Sequence, residues 1–312
     1  MIVTVTPNPV LDRTLTVAEI VFDEMVRAIA ARDDWGGKGL NVSRALLGLG
    51  TRSLAMGFIG GATGAKLEHG LRELGIETDM VSLAGETRTN IVIVDAAGTH
   101  YIKVNEPGPP VSAVELSAFL DRVRARARDG DLWALCGSLP PGVPTNFYGE
   151  LITLLHRQGA RALLDSSGEA LKLGLQAGPF AIKPNQLEAE ALTGHKITDR
   201  GSALAACRSL LTGQTEIVAL SLGADGLMLA TRRGCLWARP PQVHAPNPVG
   251  AGDALVAGLL YANDRRLPLE DQARWAVASG TAAAMCEGVS AGTHAQVEAL
   301  YPQITVTEAG EG

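Results

Sequence analysis

A chain of 312 residues, 46% apolar and 19% charged, can bury a large hydrophobic core, and this composition excludes a disordered or fibrous protein. Its net charge of −6 argues against binding along a nucleic-acid backbone, which requires an extended basic surface. One run of arginines stands out, but nearby acidic residues predict that it forms the solvated face of a helix. The run consists of Arg122, Arg124, Arg126 and Arg128.

Signals for export, membrane insertion and disulfide formation are missing from the sequence. The N-terminal stretch lacks the basic flank and the long apolar run of a signal peptide, and no apolar stretch reaches about 18 residues. The four cysteines are far apart and form no Cys-x-x-Cys pair. We therefore expect a cytoplasmic protein with reduced cysteines and with neither a nucleic-acid nor a membrane partner.

The first third of the chain alternates short strands and helices, with two interruptions. In both interruptions, residues 11–35 and 86–106, the pattern favours antiparallel strands, and the second contains a predicted hairpin. We expect these two segments to form a small β-sheet lid. Residues 1–10, 36–85 and 107–312 are expected to form the α/β core that binds nucleotide and substrate.

A glycine-rich segment, residues 36–41, leads into the first predicted helix. Its sequence is Gly-Gly-Lys-Gly-Leu-Asn, so Lys38 and Asn41 are expected to face a polar ligand near the helix N-terminus. The segment is not a nucleotide P-loop, because Gly39 stands where that motif has Ser or Thr.

From about residue 130 onward, apolar strands alternate regularly with helices. The strands are expected at residues 132–136, 162–164, 180–183 and 217–222, followed by a hairpin and two long helices. This rhythm predicts βαβ units and a parallel sheet. Residues 308–312 are expected to fray.

Short polar loops follow these strands. Residues 137–142, 165–168 and 221–226 are each an ordinary loop, but the carboxyl ends of parallel strands share one edge of a sheet, where α/β proteins bind ligands. After the strand at 180–183, Asn185 and Glu188 open a helix. They suit either a capping box or a hydrated Mg²⁺ site near phosphates.

The strongest local signal is Gly250-Ala-Gly-Asp253 directly before an apolar helix. Small residues there let backbone N–H groups converge on an anion, and the helix dipole adds to the attraction. Asp253 is then placed to accept a proton from an attacking hydroxyl. For this tetrapeptide alone, an ordinary helix start is the simpler interpretation.

Together these segments resemble the ribokinase-type carbohydrate kinases of the PfkB family over about residues 2–304. Residues 36–42, 183–188 and 250–253 match the family's first signature, its N-x-x-E magnesium motif and its second signature, in that order. The resemblance implies an α/β protein with a three-layer α/β/α ribokinase-like sandwich, a mostly parallel central sheet and a small β-sheet lid. It also implies ATP as co-substrate, Mg²⁺ as cofactor, a homodimer formed through the lid, and leaves a K⁺ site open.

The same resemblance implies roles for individual residues. Asp253 would be the catalytic base, with Gly250, Ala251 and Gly252 as the anion hole. Substrate-binding residues would be Asp12, Gly37, Lys38, Asn41 and Asn90, with Arg27, Arg88 and Ser138 around an existing phosphate. Nucleotide-binding residues would be Lys183, Asn185, Ser221, Gly223, Gly226, Asn247, Gly252, Ala278 and Thr281, and Asn185 and Glu188 would hold the metal through water.

Within the family, the chain resembles the branch of phosphofructokinases and tagatose-6-phosphate kinases. The implied reaction transfers the γ-phosphoryl group of ATP to a primary hydroxyl of a ketohexose phosphate. Fructose 1-phosphate is the leading acceptor, and tagatose 6-phosphate and fructose 6-phosphate are alternatives, since all three yield a ketohexose 1,6-bisphosphate. From another class, a non-catalytic sugar-phosphate sensor remains an alternative, but the intact Asp253 argues against lost catalysis.

Overall fold

The structure is a computed structural model that describes residues 1–245, 249–286 and 291–310 of the chain. In order, its first elements are β1 (Ile2–Thr6), β2 (Val10–Val17), β3 (Ala28–Gly36), α1 (Lys38–Gly48), β4 (Leu54–Gly60), α2 (Gly61–Glu73), β5 (Glu77–Leu83), β6 (Thr89–Asp95), β7 (Tyr101–Val104) and α3 (Ala113–Arg126). The next are β8 (Leu132–Cys136), α4 (Phe147–Arg157), β9 (Arg161–Asp165), α5 (Gly168–Gln176), β10 (Ala181–Ile182), α6 (Gln186–Thr193), α7 (Arg200–Leu210) and β11 (Ile217–Ser221). The last are β12 (Leu227–Thr231), β13 (Gly234–Arg239), α8 (Ala251–Asp264), α9 (Leu269–Ala284), α10 (His294–Leu300) and β14 (Thr305–Glu308).

The central sheet has ten strands in the order β14-β13-β12-β11-β10-β9-β8-β1-β4-β5. The seven strands from β11 to β5 run parallel, whereas β12, β13 and β14 add as antiparallel neighbours. Parallel strands that are covered on both faces have continuous apolar sequences. β8 is an example, because all of its residues are buried. The mostly parallel sheet expected from the sequence is confirmed.

Helices cover both faces of this sheet. Successive residues of β8 alternate between two cores, Trp133 and Leu135 in one and Leu132 and Ala134 in the other. The first core is closed by α3 to α7, and the second by α1, α8, α9 and α10. The three-layer α/β/α sandwich is therefore confirmed. Among the described residues, no helix is both long and apolar enough to cross a membrane.

A separate four-stranded sheet has the order β3-β2-β6-β7. The predicted hairpin of β6 and β7 is confirmed, and β2 and β3 are also antiparallel. The two segments meet through β2 and β6, which pair in parallel. Both strands start at the central sheet, where Leu11 N donates to Arg88 O, and leave it side by side, so they must run in the same direction.

The C-terminal strand β14 corrects one expectation. Glu308 and Ala309 do not fray, because β14 pairs with β13 and the N–H of Ala309 donates to the carbonyl of Cys235. Ala309 is only 4% exposed. Pairing here satisfies backbone groups that β13 would otherwise expose at the sheet edge.

The chain reverses its direction of travel across the sheet at β1. It places β4 on one side of β1 and, after the small sheet, β8 on the other. In doubly wound α/β folds such a switch point leaves a crevice at the carboxyl ends of the strands. The polar loops identified in the sequence follow β8, β9, β10 and β11 and thus lie along this edge.

Close packing of α8 against α9 holds the start of α8 in place. Gly258 permits it, because a Cβ there would lie 2.6 Å from Ser279 Oγ and closer still to Trp275 O. At the other end of the contact, a Cβ on Gly280 would lie 3.0 Å from Ala251 O, in the first turn of α8. The position of that first turn therefore depends on two glycines.

We expect Gly258→Ala to lower the free energy of unfolding by about 1–3 kcal/mol. The new Cβ would collide with the backbone carbonyl of Trp275, which cannot move aside without shifting α9. The control is Gly201→Ala in α7, where the nearest atom to the new Cβ is 3.6 Å away. That change should be neutral or stabilise by about 0.5–1 kcal/mol. Urea unfolding measures both, and equal stabilities for the two variants would contradict the packing argument.

Candidate active site

The N-terminus of α8 offers free backbone donors at the carboxyl edge of the sheet. Gly250 adopts a left-handed conformation with φ 84°, and the first backbone bond of the helix runs from Ala254 N to Gly250 O. No side chain caps this end within the described structure. The N–H groups of Ala251, Gly252 and Asp253 precede the intrahelical bonds, so they can bind an anion.

Asp253 lies in this first turn and is only 7% exposed. Its Oδ2 accepts a hydrogen bond of 2.8 Å from Asn41 Nδ2, on α1. α1 reaches this position because Gly37 takes φ 121° and because a side chain at Gly39 would collide with Thr6 and lie 2.8 Å from Val5 O. The glycine-rich segment thus lets α1 approach β1 closely and bring Asn41 to Asp253.

Two lysines converge on one buried carboxylate beside this pair. Asp165, at the end of β9, is paired through Oδ1 with Lys38 Nζ at 3.0 Å and with Lys183 Nζ at 3.3 Å. An ideal Cβ on Gly252 would lie 3.6 Å from Lys183 Nζ, which places that ammonium group next to the N-terminus of α8. We refer to Lys38, Asp165, Lys183 and Asp253 as the charge cluster.

The charge cluster shifts the proton affinity of its members. Burial and, next, repulsion by Asp165 raise the pKa of Asp253 to about 6, although Asn41 and the lysines oppose the shift. Burial by itself would lower the pKa of Lys38, but the carboxylates of Asp165 and Asp253 outweigh it and raise that pKa. Near neutral pH the cluster therefore holds a cation beside a carboxylate that can take up a proton.

Arg88 and Ser138 come together through a residue that sequence reasoning did not select, Asn8. Arg88 Nη2 donates to Asn8 O at 3.0 Å, and Asn8 Nδ2 donates to Ser138 Oγ at 3.4 Å. Among the described residues, Arg88 Nε and Asn8 Oδ1 are buried without a hydrogen-bond partner. Arg88 is held in place at the other end of its guanidinium group, where Nη1 donates to Glu106 O at 3.0 Å.

Asp12 and Asn90 form a neighbouring polar pair at the base of the small sheet. They are opposite each other in the β2–β6 register, and Asn90 Nδ2 donates to Asp12 Oδ1 at 2.8 Å. Burial raises the pKa of Asp12, against the hydrogen bond from Asn90. Gly36 lies beside them, since a side chain there would collide with Asp12 Oδ2. The pair therefore lies where the small sheet joins the glycine-rich segment.

Arg27 makes no contact with Arg88 or Ser138, the two other residues predicted to bind the phosphate. It is exposed, in the stretch before β3, and makes no hydrogen bond or ion pair within the described ranges. Its predicted contact with a substrate phosphate stays a prediction.

Asn185 and Glu188 form the capping box that the sequence allowed. Asn185 caps α6 by accepting from Glu188 N, and Glu188 Oε2 accepts from Asn185 N. The negative charge of Glu188 also contributes, as the smallest of the causes, to the raised pKa of Lys38. The described residues contain no group of three acidic, His or Cys side chains that could hold a metal unaided. A metal here would need ligands from a bound phosphate and water.

The predicted nucleotide residues occupy two regions. Ser221 forms a bridge to Asn185, and Gly223 and Gly226 shape the exposed turn that follows it. On α9, Ala278 is fully buried in the second core and the hydroxyl of Thr281 donates to Val277 O. Asn247 lies outside the described residues.

Asp165 and Asn8 are the site residues that the selection from sequence omitted. Each had a usable signal, because Asp165 ends and Asn8 closely follows an apolar strand whose carboxyl end reaches the same edge as Asp253. Their partners are far away in sequence, however: Lys38 is 127 residues from Asp165 and Ser138 is 130 residues from Asn8.

Comparison with known proteins identifies the family of the chain. A family model described as pfkB family carbohydrate kinase matches residues 8–296. The 1-phosphofructokinase of Bacillus subtilis is 36% identical over 307 residues, covering 98% of this chain and 99% of that protein. The ATP-dependent 6-phosphofructokinase isozyme 2 of Escherichia coli is 32% identical over 307 residues, covering 97% and 99%.

A solved structure shares the whole fold. The crystal structure of phosphofructokinase-2 from Escherichia coli in complex with potassium superposes with a TM-score of 0.92 at 30% sequence identity, covering 97% of this chain and 98% of that one. Family model, sequence relatives and fold agree over nearly the full length. The chain belongs to the pfkB family of carbohydrate kinases.

Proposed function

We propose that this chain is an ATP-dependent kinase that phosphorylates fructose 1-phosphate to fructose 1,6-bisphosphate. The observation that carries the proposal is Asp253, a buried carboxylate with a pKa near 6, in the first turn of α8 and beside Lys183. Relatives named 1-phosphofructokinase reach 36–37% identity, against 32% for those named 6-phosphofructokinase, which favours fructose 1-phosphate as acceptor.

In the proposed reaction, Asp253 is the general base. The free C6 hydroxyl of fructose 1-phosphate attacks the γ-phosphorus of ATP, the O–P bond to ADP breaks, and the hydroxyl proton passes to Asp253. Asp253 later releases that proton to water. Asn41 orients the carboxylate by donating to Oδ2, which leaves Oδ1 for the hydroxyl.

The transferring phosphoryl group would be met by fixed positive charge. We assign its binding to the N–H groups of Gly250, Ala251 and Gly252 and to the ammonium group of Lys183, which lies beside Gly252. Preorganised donors of this kind stabilise charge that develops in the transition state, because they need no rearrangement during the reaction.

The acceptor would lie between the small sheet and α1. We assign its hydroxyl groups to Asp12 and Asn90, together with Gly37, Lys38 and Asn41 of the glycine-rich segment. Its existing phosphate would be bound by Arg88 and Ser138, with Asn8 joining them and Arg27 approaching from the small sheet. The planar, permanently charged guanidinium group of an arginine suits a phosphate.

The nucleotide would lie on the opposite side of α8. The residues assigned to it are Lys183, Asn185, Ser221, Gly223, Gly226, Asn247, Gly252, Ala278 and Thr281. Mg²⁺ would be held by the nucleotide phosphates and, through water, by Asn185 and Glu188, whose Oε2 is engaged in the cap while its other oxygen is free of hydrogen bonds in the described structure. The metal would supply charge neutralisation for the phosphates. A K⁺ site next to Asn247 stays a prediction.

The small sheet is proposed to act as a lid and as a dimer interface. Its strand β3 and the stretch before it expose large apolar side chains, among them Phe22 (74%), Met25 (82%) and Ile29 (64%). Such a patch favours association with a second copy of the chain. A lid that closes over the acceptor would also keep water from the γ-phosphate.

The experiment that tests the proposal is an assay of ADP release with fructose 1-phosphate, fructose 6-phosphate and tagatose 6-phosphate as acceptors. We expect fructose 1-phosphate to give the largest kcat/KM. A larger value for either 6-phosphate would assign the chain to 6-phosphofructokinase or tagatose-6-phosphate kinase. Binding without turnover on all three would support the non-catalytic sensor instead.

Asp253→Asn should lower kcat by about 10²–10⁴-fold, because the amide cannot accept the hydroxyl proton. Binding of a non-hydrolysable ATP analogue should be retained, since the change removes a negative charge near the phosphates. The control is Asp264→Asn at the exposed C-terminal end of the same helix, which should keep normal turnover. Normal turnover of Asp253→Asn would remove Asp253 from the mechanism.

Arg88→Met should raise KM for fructose 1-phosphate by about 10–100-fold, the loss expected for a charge-assisted hydrogen bond. Any turnover of unphosphorylated fructose should change little, because that sugar has no phosphate for Arg88 to bind. Steady-state kinetics with both sugars measures the difference, with Arg52→Met, an exposed residue before β4, as the control. Equal losses on both sugars would exclude phosphate recognition by Arg88.

A further inference from the structure

Asp165 binds two lysines that belong to different parts of the fold. Lys38 is the first residue of α1, and Lys183 follows β10, yet both ammonium groups meet the same oxygen, Oδ1. An ammonium group has three donors, so each lysine keeps two for another ligand. Asp165 thus holds two ammonium groups in place, and each keeps N–H donors for a ligand.

The burial of Asp165 makes this arrangement rigid. Its side chain is 1% exposed and that of Lys183 is 5% exposed. A buried carboxylate without partners is costly, whereas two cations at hydrogen-bonding distance compensate its charge. Asp165 ends a central strand, β9, that is paired with neighbours on both sides. The carboxylate therefore cannot follow the lysines if they move.

The two lysines face the two halves of the proposed site. The side chain of Lys38 lies beside the loop of Ser138, since a Cβ on Gly137 would lie 3.8 Å from the Cβ of Lys38. Lys183 lies beside Gly252 at the start of α8. The two side chains thus reach Asp165 Oδ1 from different directions, Lys38 from the acceptor side and Lys183 from the nucleotide side.

We propose that Asp165 is a positioning residue of the phosphoryl-transfer site, which holds Lys38 toward the acceptor and Lys183 toward the nucleotide at a fixed separation. The inference rests on the proposed kinase function. It adds a residue that touches neither substrate but determines where both positive charges stand when the phosphoryl group passes between them.

The charge of Asp165 also predicts how the pH dependence of kcat/KM changes when that charge is removed. The charged groups that act on Asp253 are Asp165, Lys38 and Lys183. Asp165 raises the pKa of Asp253, and the two lysines lower it. Removing the charge of Asp165 therefore lowers this pKa, and the base stays ionised to lower pH. The acid limb of kcat/KM must move to lower pH.

The test is Asp165→Asn, studied by steady-state kinetics from pH 5 to pH 9. We expect KM for both ATP and fructose 1-phosphate to rise about tenfold, because both lysines lose their anchor. The acid limb of kcat/KM should move down by about one pH unit relative to the unmodified protein.

The matched control is Asp131→Asn. Asp131 is a buried carboxylate paired with the ammonium group of Met1 at 3.1 Å, but it lies at the start of β8, on the opposite edge of the sheet. The control should keep both KM values and the same pH profile. Circular dichroism verifies that each variant is folded.

Two results would overturn the inference. Kinetics of Asp165→Asn equal to those of the control would do so, and so would a loss of kcat with unchanged KM values and an unmoved acid limb. Either result leaves the proposed function standing, which fails only if the unmodified protein turns over none of the sugar phosphates.

If Asp165→Asn does not fold, the double variant Lys38→Met with Asp165→Asn replaces it, because it removes a cation together with the carboxylate. Lys183 still lacks its anchor there, so KM for ATP should stay about tenfold raised. A normal KM for ATP in this variant would contradict the inference.

Discussion

The structure depends on the burial of two carboxylates, Asp165 and Asp253, next to two lysines. Isolated in the interior, either carboxylate would be too costly to ionise. Lys38 and Lys183 compensate Asp165 directly, while among the described residues Asp253 has the hydrogen bond from Asn41 and more distant attraction. The compensation is therefore unequal. It leaves Asp253 with a raised pKa, which is the property a general base needs near neutral pH.

Asp165 and Asp253 differ in how well their charges are compensated because the fold brings four separate elements to one edge of the sheet. Lys38 and Asn41 come from α1, Asp165 ends β9, Lys183 follows β10 and Asp253 begins α8. Close approach of the backbone to β1 explains the glycines at 37 and 39, and the left-handed conformation at φ 84° explains Gly250. The stability of the α8–α9 contact and the chemistry of the site are thus linked, because the same helix start serves both.

The sequence was enough to predict the architecture and the two glycine-rich segments, since strand periodicity and small residues at helix starts are local features. It did not reveal which side chains would meet. Asn41 and Asp253 are 212 residues apart, and nothing local indicates that they bond. Nor does a local pattern show that β2 and β6 run parallel. Their shared direction arises because both strands begin at the same edge of the central sheet and extend away from it. Asp165 belongs to one of the strand-end loops evident in the sequence, but nothing local indicates that two lysines bind it.

The most direct test of this account is the titration of Asp253 itself, followed by the ¹³C resonance of its carboxyl carbon in the ligand-free protein. Asp253→Asn assigns the resonance by removing it. The account predicts a midpoint at about pH 6, with the carboxylate ionised above that pH and protonated below it. A midpoint near the ordinary value of 3.8 would show that burial and Asp165 do not control this group, and would contradict the account.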